Sequence, residues 1–506
     1  MYIPEIKFGH ILYCEDEGGA TVYYISNVER DDYYQYLDTL IFAGYTRSCE
    51  YSLGQSLVCI MKKESDMVMC CYYESISEMR IVAEPTSLYF DFSDKPGERK
   101  CDALMTQIDL EDYGESVVFR LTDGRFIIYD GGWPFTPDAQ KLVNCLREQS
   151  PDKVPTVACW IFTHPHIDHY RCFLEVFEKF PGAFTVERFI YNFPNTEDKD
   201  IARIPRLIDE VEHLAKLENY VKKTGAEVYK AHTGQVYEIG GAKLEILSSP
   251  DDTFFVPVNN INVLSLVIKM TVEGQTFMMC ADAILGASRL SERYGEYLKS
   301  DVLQPTHHMF SGGDIKTYDY VDPRVCVASS FEWHVFGSFA PHCFDKECNL
   351  HLFYDLNVEE FLTGGCGNLV LPIPYTPKRN GKIKYLKKIE EYQKSLGSKS
   401  WFFSDMAADS CEFVITNATC FTAKISVDIY TDDTSSHVSD IRFEVPGSQF
   451  KRINVLDTEV VDGDALYYNP NSLSKIGVKD GERFTVRLHS DTPIVVKSSV
   501  PPDYYS

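Results

Sequence analysis

The stretch Thr163-His164-Pro165-His166-Ile167-Asp168-His169 constrains this chain more than any other. An apolar run, Val157 to Phe162, precedes it and reads as a buried strand, and Tyr170 to Phe180 follows with apolar residues at helical spacing. Four metal-competent side chains therefore crowd one strand-to-helix turn. Along an extended segment His164 and His166 project the same way. Asp168 and His169 open the next element and turn toward a second point beside the first. One short loop thus offers ligands to two adjacent metal ions, and imidazole with carboxylate is a donor set that zinc accepts. A single His at a strand end is most often a hydrogen-bonded structural residue. Three in six positions, in a chain with 13 His among 506 residues, call for metal.

His164-x-His166-x-Asp168-His169 resembles the signature loop of the metallo-β-lactamase superfamily of di-metal hydrolases. The resemblance runs from about residue 100 to 375 and implies an αββα sandwich. Asp130-Gly131-Gly132 matches the first motif, whose Asp supports and orients the ligating His residues. Asp282, in Cys280-Ala281-Asp282-Ala283, matches the fourth, a carboxylate able to bridge two metals; Ala281 replaces the usual glycine. Thr306-His307-His308 matches the fifth, with Met309 where a glycine is expected. Side-chain alternation favours His307 as the ligand and turns His308 to the substrate side. With Gly114-Glu115-Ser116, the span most resembles the branch of the nuclease-like domain of bacterial DNA-uptake channels and of phosphorylcholine esterases. The implied ligands are His164, His166, Asp168, His169, Asp282 and His307, with Asp168 and His308 in catalysis. The third motif departs from the pattern. His232 lies in a hairpin before the expected position, while Asn259, Asn260 and Asn262 precede the strand that follows it.

Around this core, residues 1–95 read as a small accessory α+β domain. Its strands are Thr21 to Ser26, Ser56 to Met61, Met67 to Tyr73 and Met79 to Ala83. The helix Arg30 to Gly44 carries Tyr34, Leu37, Leu40 and Ile41 on one side. Asp91 to Lys100 is a polar linker. Residues 100–377 form the metal domain, 378–400 a charged linker helix, and 401–506 a β-sandwich of short strands. Ile425 to Tyr430 and Ser490 to Val496 resemble the sensory-rhodopsin-transducer family, which implies that this tail joins copies of the chain into a homo-oligomer.

Acidic residues outnumber basic ones, 75 against 49, for a formal charge of −26. That field repels polyphosphate chains and speaks for a small-molecule ester rather than long nucleic acid. No apolar run reaches membrane-spanning length, the N-terminus lacks a signal-peptide layout, and 16 scattered Cys suit reduced thiols, so a cytoplasmic protein is expected. The expectation is a hydrolase with one or two zinc ions, in which metal-activated water attacks a phosphodiester or related ester. The rival is a metal- or ligand-binding scaffold with a degenerate site. A diiron redox role is disfavoured by His166, where such members generally carry Glu.

Overall fold

A computed structural model describes residues 3–17, 20–86, 94–194, 207–252 and 260–330, parts of 348–377, and parts of 398–498. The expected linker helix over 378–400 lies almost wholly outside the described residues. Two compact units divide the chain, one ending near residue 381 and the other comprising the rest of the tail. The first is a mixed α/β assembly of three sheets.

Six antiparallel strands open this unit: His10–Glu17, Ala20–Ser26, Thr46–Leu53, Ser56–Lys63, Asp66–Tyr73 and Glu78–Pro85. Helix Arg30–Phe42 packs on them through Tyr33, Tyr36, Leu37 and Leu40. The expected stripe is thus rotated, and Tyr34 and Ile41 stay exposed. The first and third strands escaped the sequence reading because both are sheet edges. Edge strands tolerate polar residues on both faces and so lack the alternation that marks a buried strand.

Two further sheets position the site. One carries Phe126–Asp130 beside Thr156–Ile161 in parallel, with Tyr129 opposite Ile161, so Asp130 and the histidine loop leave from the same end. The other pairs Gln275–Met279 with Val302–Gln304 in parallel, Met279 opposite Gln304, which brings Asp282 and His307 out together. The sheets touch at the Phe119 and Phe277 rings, 5.2 Å apart. Helices Thr136–Gln149, Ile167–Lys179 and Val211–Thr224 cover the first sheet, burying Leu142, Phe173 and Leu217 against Ile128, Trp160 and Phe189. Before strand Val267–Val272, Ile261–Leu264 form a 3-10 turn. The Asn260 side chain accepts the Asn262 N–H and caps it, a local bond that competes with strand pairing.

The polar segment before the metal domain is tied down. Asp94 pairs with Arg125 (2.8 Å) and Arg188 (3.1 Å) and makes a parallel bridge to Ile239.

In the second unit, strand Arg483–Ser498 pairs with Ser398–Ala407, Ala423–Thr431 and Glu412–Asn417. The apolar pattern reads as two strands, Phe484 to Leu488 and Ile494 to Ser498. The chain runs through instead, exchanging Ala423–Thr431 for Glu412–Asn417 as partner, as strands do at the corner of a sandwich.

Candidate metal centre

Asp130 ends its strand with φ 57°, a left-handed backbone that costs a non-glycine residue about 1–2 kcal/mol. The strain aims a fully buried carboxylate at the histidine loop. Its Oδ1 accepts the Thr163 N–H (2.8 Å), and its Oδ2 accepts the Thr163 hydroxyl (2.7 Å) and lies 2.8 Å from His169 Nδ1. Gly131 and Gly132 donate their N–H groups to the His169 carbonyl at 2.6 and 3.1 Å. The first motif thus grips the start of helix Ile167–Lys179 by both backbone and side chain. With Nδ1 engaged, His169 keeps Nε2 buried and free of hydrogen bonds.

Asp282 is the hub. Its Oδ2 lies 3.6 Å from His164 Nε2 and 3.7 Å from His307 Nε2. Its Oδ1 lies 3.2 Å from His169 Nε2 and 3.4 Å from His308 Nε2. On the first side, His166 Nδ1 stands 3.0 Å from His164 Nε2. On the second, Asp168 Oδ2 is 3.3 Å from His308 Nε2 and 3.8 Å from His169 Nε2. Two triads, His164–His169–Asp282 and Asp168–His169–His308, each hold their donor atoms within 4.8 Å of one another. Donors around one tetrahedral zinc at about 2.0–2.1 Å stand about 3.4 Å apart, so these separations fit a bound metal. Four buried atoms here lack a hydrogen-bond partner: His169 Nε2, His308 Nε2, Asp282 Oδ1 and Asn262 Oδ1. Buried polar atoms are seldom left so, and a cation would satisfy them.

Electrostatics point the same way. Burial drives His164 well below its ordinary value, and burial likewise lowers His166 and His307, which favours their neutral form. Burial opposes charge on His169 too, but Asp282, Asp130 and Asp168 lift it well above the ordinary value. Burial would raise Asp282, yet His169, His308 and His307 hold it well below the carboxylate range.

The fifth motif departs from expectation. His307, His308 and Met309 all take positive φ (50°, 51° and 69°), so strand alternation does not apply and both imidazoles reach Asp282. His308, expected on the substrate side, is buried among the second-side donors. His307 is the more open of the two and turns to the first side, with Ser311 Oγ 2.8 Å from Nδ1 and Asn262 Nδ2 3.2 Å from Nε2. His232 is committed elsewhere: fully buried, its ring nitrogens lie 2.7 Å from Asp251 and 3.1 Å from Glu84. Asn262 is the third-motif residue that reaches the cluster.

No protein-family model matches the sequence, and no curated protein does. Among solved structures, the chain is similar to a protein from Parabacteroides distasonis described as a metal-dependent hydrolase, at 12% identity over 60% of this chain and 97% of that one, with a TM-score of 0.25. It is similar to human short-form tRNase Z at 11% identity, covering 47% and 89%, with a TM-score of 0.22. A third match is the Anabaena sensory rhodopsin transducer, at 22% identity over 21% of this chain and 97% of that one, with a TM-score of 0.17. Metal-dependent hydrolases are thus among the structural neighbours. The chemistry of the site rests on its own side chains.

Sequence reasoning missed the outer layer. His308 Nδ1 lies 3.0 Å from Ser329 Oγ, which donates to Glu115 at 2.9 Å. Burial pushes the Glu115 carboxyl up to about 7. Glu115 and Ser329 lie more than 200 residues apart, and only the meeting of the two sheets joins them. Tyr113 stands by the His308 ring at 5.8 Å and by Phe310 at 5.4 Å, and Phe135 stacks on Trp133 at 5.5 Å, forming an aromatic rim.

Proposed function

We propose that the chain is a metal-dependent hydrolase of the metallo-β-lactamase type, with zinc as the metal and a phosphodiester or related small ester as substrate. The observation that carries this reading is the convergence of four imidazole nitrogens on the two oxygens of Asp282, two of them, His169 Nε2 and His308 Nε2, buried without a hydrogen-bond partner. His164 and His166 would hold one ion, Asp168, His169 and His308 the other, with Asp282 between them. Bound metal supplies an acidified water and neutralises charge on the attacked centre. Asp168 would add negative charge at the metal pair and orient the nucleophile there. Asp130, through Thr163 and His169, keeps the imidazoles aimed. The formal charge of −26 favours a small substrate over a nucleic-acid chain.

Asp168→Ala should lower hydrolysis of bis(p-nitrophenyl) phosphate by about a hundredfold or more, as expected when a metal-held nucleophile is lost. Equal rates for wild type and variant across phosphodiesters, lactones and β-lactams would favour the scaffold reading instead. The departure at Asn262 is the observation that keeps that reading in play. For the tail, we propose assembly of identical chains. Its β-rich architecture, without a His/Cys/Asp/Glu metal cluster among the described residues, motivates this role. Deleting 401–506 should lower the number of chains per particle, read as the light-scattering mass divided by the chain mass, and leave zinc content per chain unchanged. An unchanged number of chains would remove this role.

A further inference from the structure

Asp282 divides the site into halves that differ in chemistry. The second half offers the Asp168 carboxylate and two imidazoles, His169 and His308, all buried. The first offers His164 and His166, and Asn262, which is 2% exposed, joins it through His307, whose Nε2 lies 3.7 Å from Asp282 Oδ2. His307 fixes how that carboxamide stands. Its Nδ1 is engaged with Ser311 at 2.8 Å, and its Nε2 meets Asn262 Nδ2 at 3.2 Å. An amide nitrogen can only donate, so it bonds the Nε2 lone pair, and Oδ1 is left as the free end. That oxygen is buried and has no hydrogen-bond partner. Asn260 orders the same turn by accepting the Asn262 N–H at 3.1 Å, so the carboxamide is held at its root as well as its tip.

From this we infer that Asn262 is the third donor of the first metal position, through a neutral amide oxygen oriented by His307, and that the two positions are therefore unequal. The inference rests on the metal reading given above. A carboxamide oxygen is a harder and weaker donor to zinc than imidazole and brings no charge, whereas the second position contains a carboxylate of its own. The second position fills first and holds its ion. The first exchanges its ion readily, and oxygen donation moves it toward manganese and other hard divalent ions.

Calorimetric titration of the full-length, metal-stripped protein with zinc alone, paired with the visible absorption of a cobalt-loaded sample, tests this without any assay of activity. Wild type should bind one zinc tightly and a second at least tenfold more weakly. Asn262→His should tighten the weaker step at least tenfold and leave the tight step alone. Asn262→Leu, similar in volume but without a donor, should abolish the weaker step while the first ion stays bound. Thermal unfolding establishes that each variant is folded, and should the leucine variant fail to fold, the histidine variant decides alone. Two equal steps in wild type, or a histidine variant with an unchanged weak step, would overturn the inference while leaving the hydrolase reading intact. Absence of any zinc binding would overturn both.

Discussion

At the scale of single residues, Asp130 shows how much of the site is support. It is fully buried, touches no other carboxylate of the cluster, and accepts from the Thr163 N–H and hydroxyl while holding His169 Nδ1. Supporting bonds of this kind fix the tautomer and aim of a ligating imidazole. Replacing Asp130 by Ala would strand a buried N–H and a ring nitrogen together and leave the Thr163 hydroxyl only His164 Nδ1, at 3.0 Å. Asp130→Ala should weaken zinc binding about 10- to 100-fold, measured by competition with a chromophoric chelator. Unchanged affinity in a folded variant would mean that His169 is aimed by its helix alone.

At the scale of elements, the decisive joint is the one between the strand ending at Asp130 and helix Ile167–Lys179. Gly132 donates to the His169 carbonyl at 3.1 Å and accepts from the Cys172 N–H at 3.0 Å, spanning the first turn of that helix. Its φ is 91°, and a Cβ there would stand 2.8 Å from Leu110 Cδ2. Side chain and strained backbone would therefore act together against the joint. Gly132→Ala should destabilise the fold by about 1–3 kcal/mol, read as a lower urea midpoint, and should loosen zinc because Asp168 and His169 ride on the displaced turn. A variant with wild-type midpoint would show that the joint yields without strain.

At the scale of the whole first unit, the N-terminal sheet is fastened to the metal domain by a buried ionic seam. His232 sits between Asp251 and Glu84, while Arg80 pairs with Asp252 at 2.7 Å and Arg293 pairs with the same carboxylate at 3.0 Å. Glu84 and Arg80 come from the sheet; His232, Asp251, Asp252 and Arg293 come from the metal domain. Although burial opposes its charge, Asp251 and Glu84 lift His232 from 6.5 to about 10. Burial likewise opposes the charged form of Asp251, yet His232 holds it at about 2. A raised His contributes stability that is complete below its unfolded value and lost as pH rises through its folded value. Stability from this seam should therefore be complete below about pH 6.5 and fall steadily as pH rises from there to 10, by about 3–5 kcal/mol if the pair is broken outright. At the acid end the Asp251 contribution should shrink as pH falls below about 4 and be gone near pH 2. Urea midpoints at pH 7 and 10 check this: wild type should drop, whereas His232→Gln should start lower and change little. Parallel declines in the two proteins would assign the alkaline loss to other groups.

Local chemistry made much of this protein legible in advance. The histidine loop, Asp130 and Asp282 stand out because polar side chains crowd the ends of apolar strands, and strands and helices declare their period in apolar residues. The long buried strands and the helix over Arg30–Phe42 were readable for that reason, while polar edge strands such as Thr46–Leu53 were not. Tertiary structure alone decided the rest. Three successive left-handed residues sent His308 inward and His307 toward Asn262, against the alternation a strand would impose. Glu84 took His232 out of contention as a ligand from a sheet 148 residues away. Spacing along a chain encodes which side chains share an element's face, but the meeting of faces from different elements is set by packing, and that is where the two halves of this site became unequal.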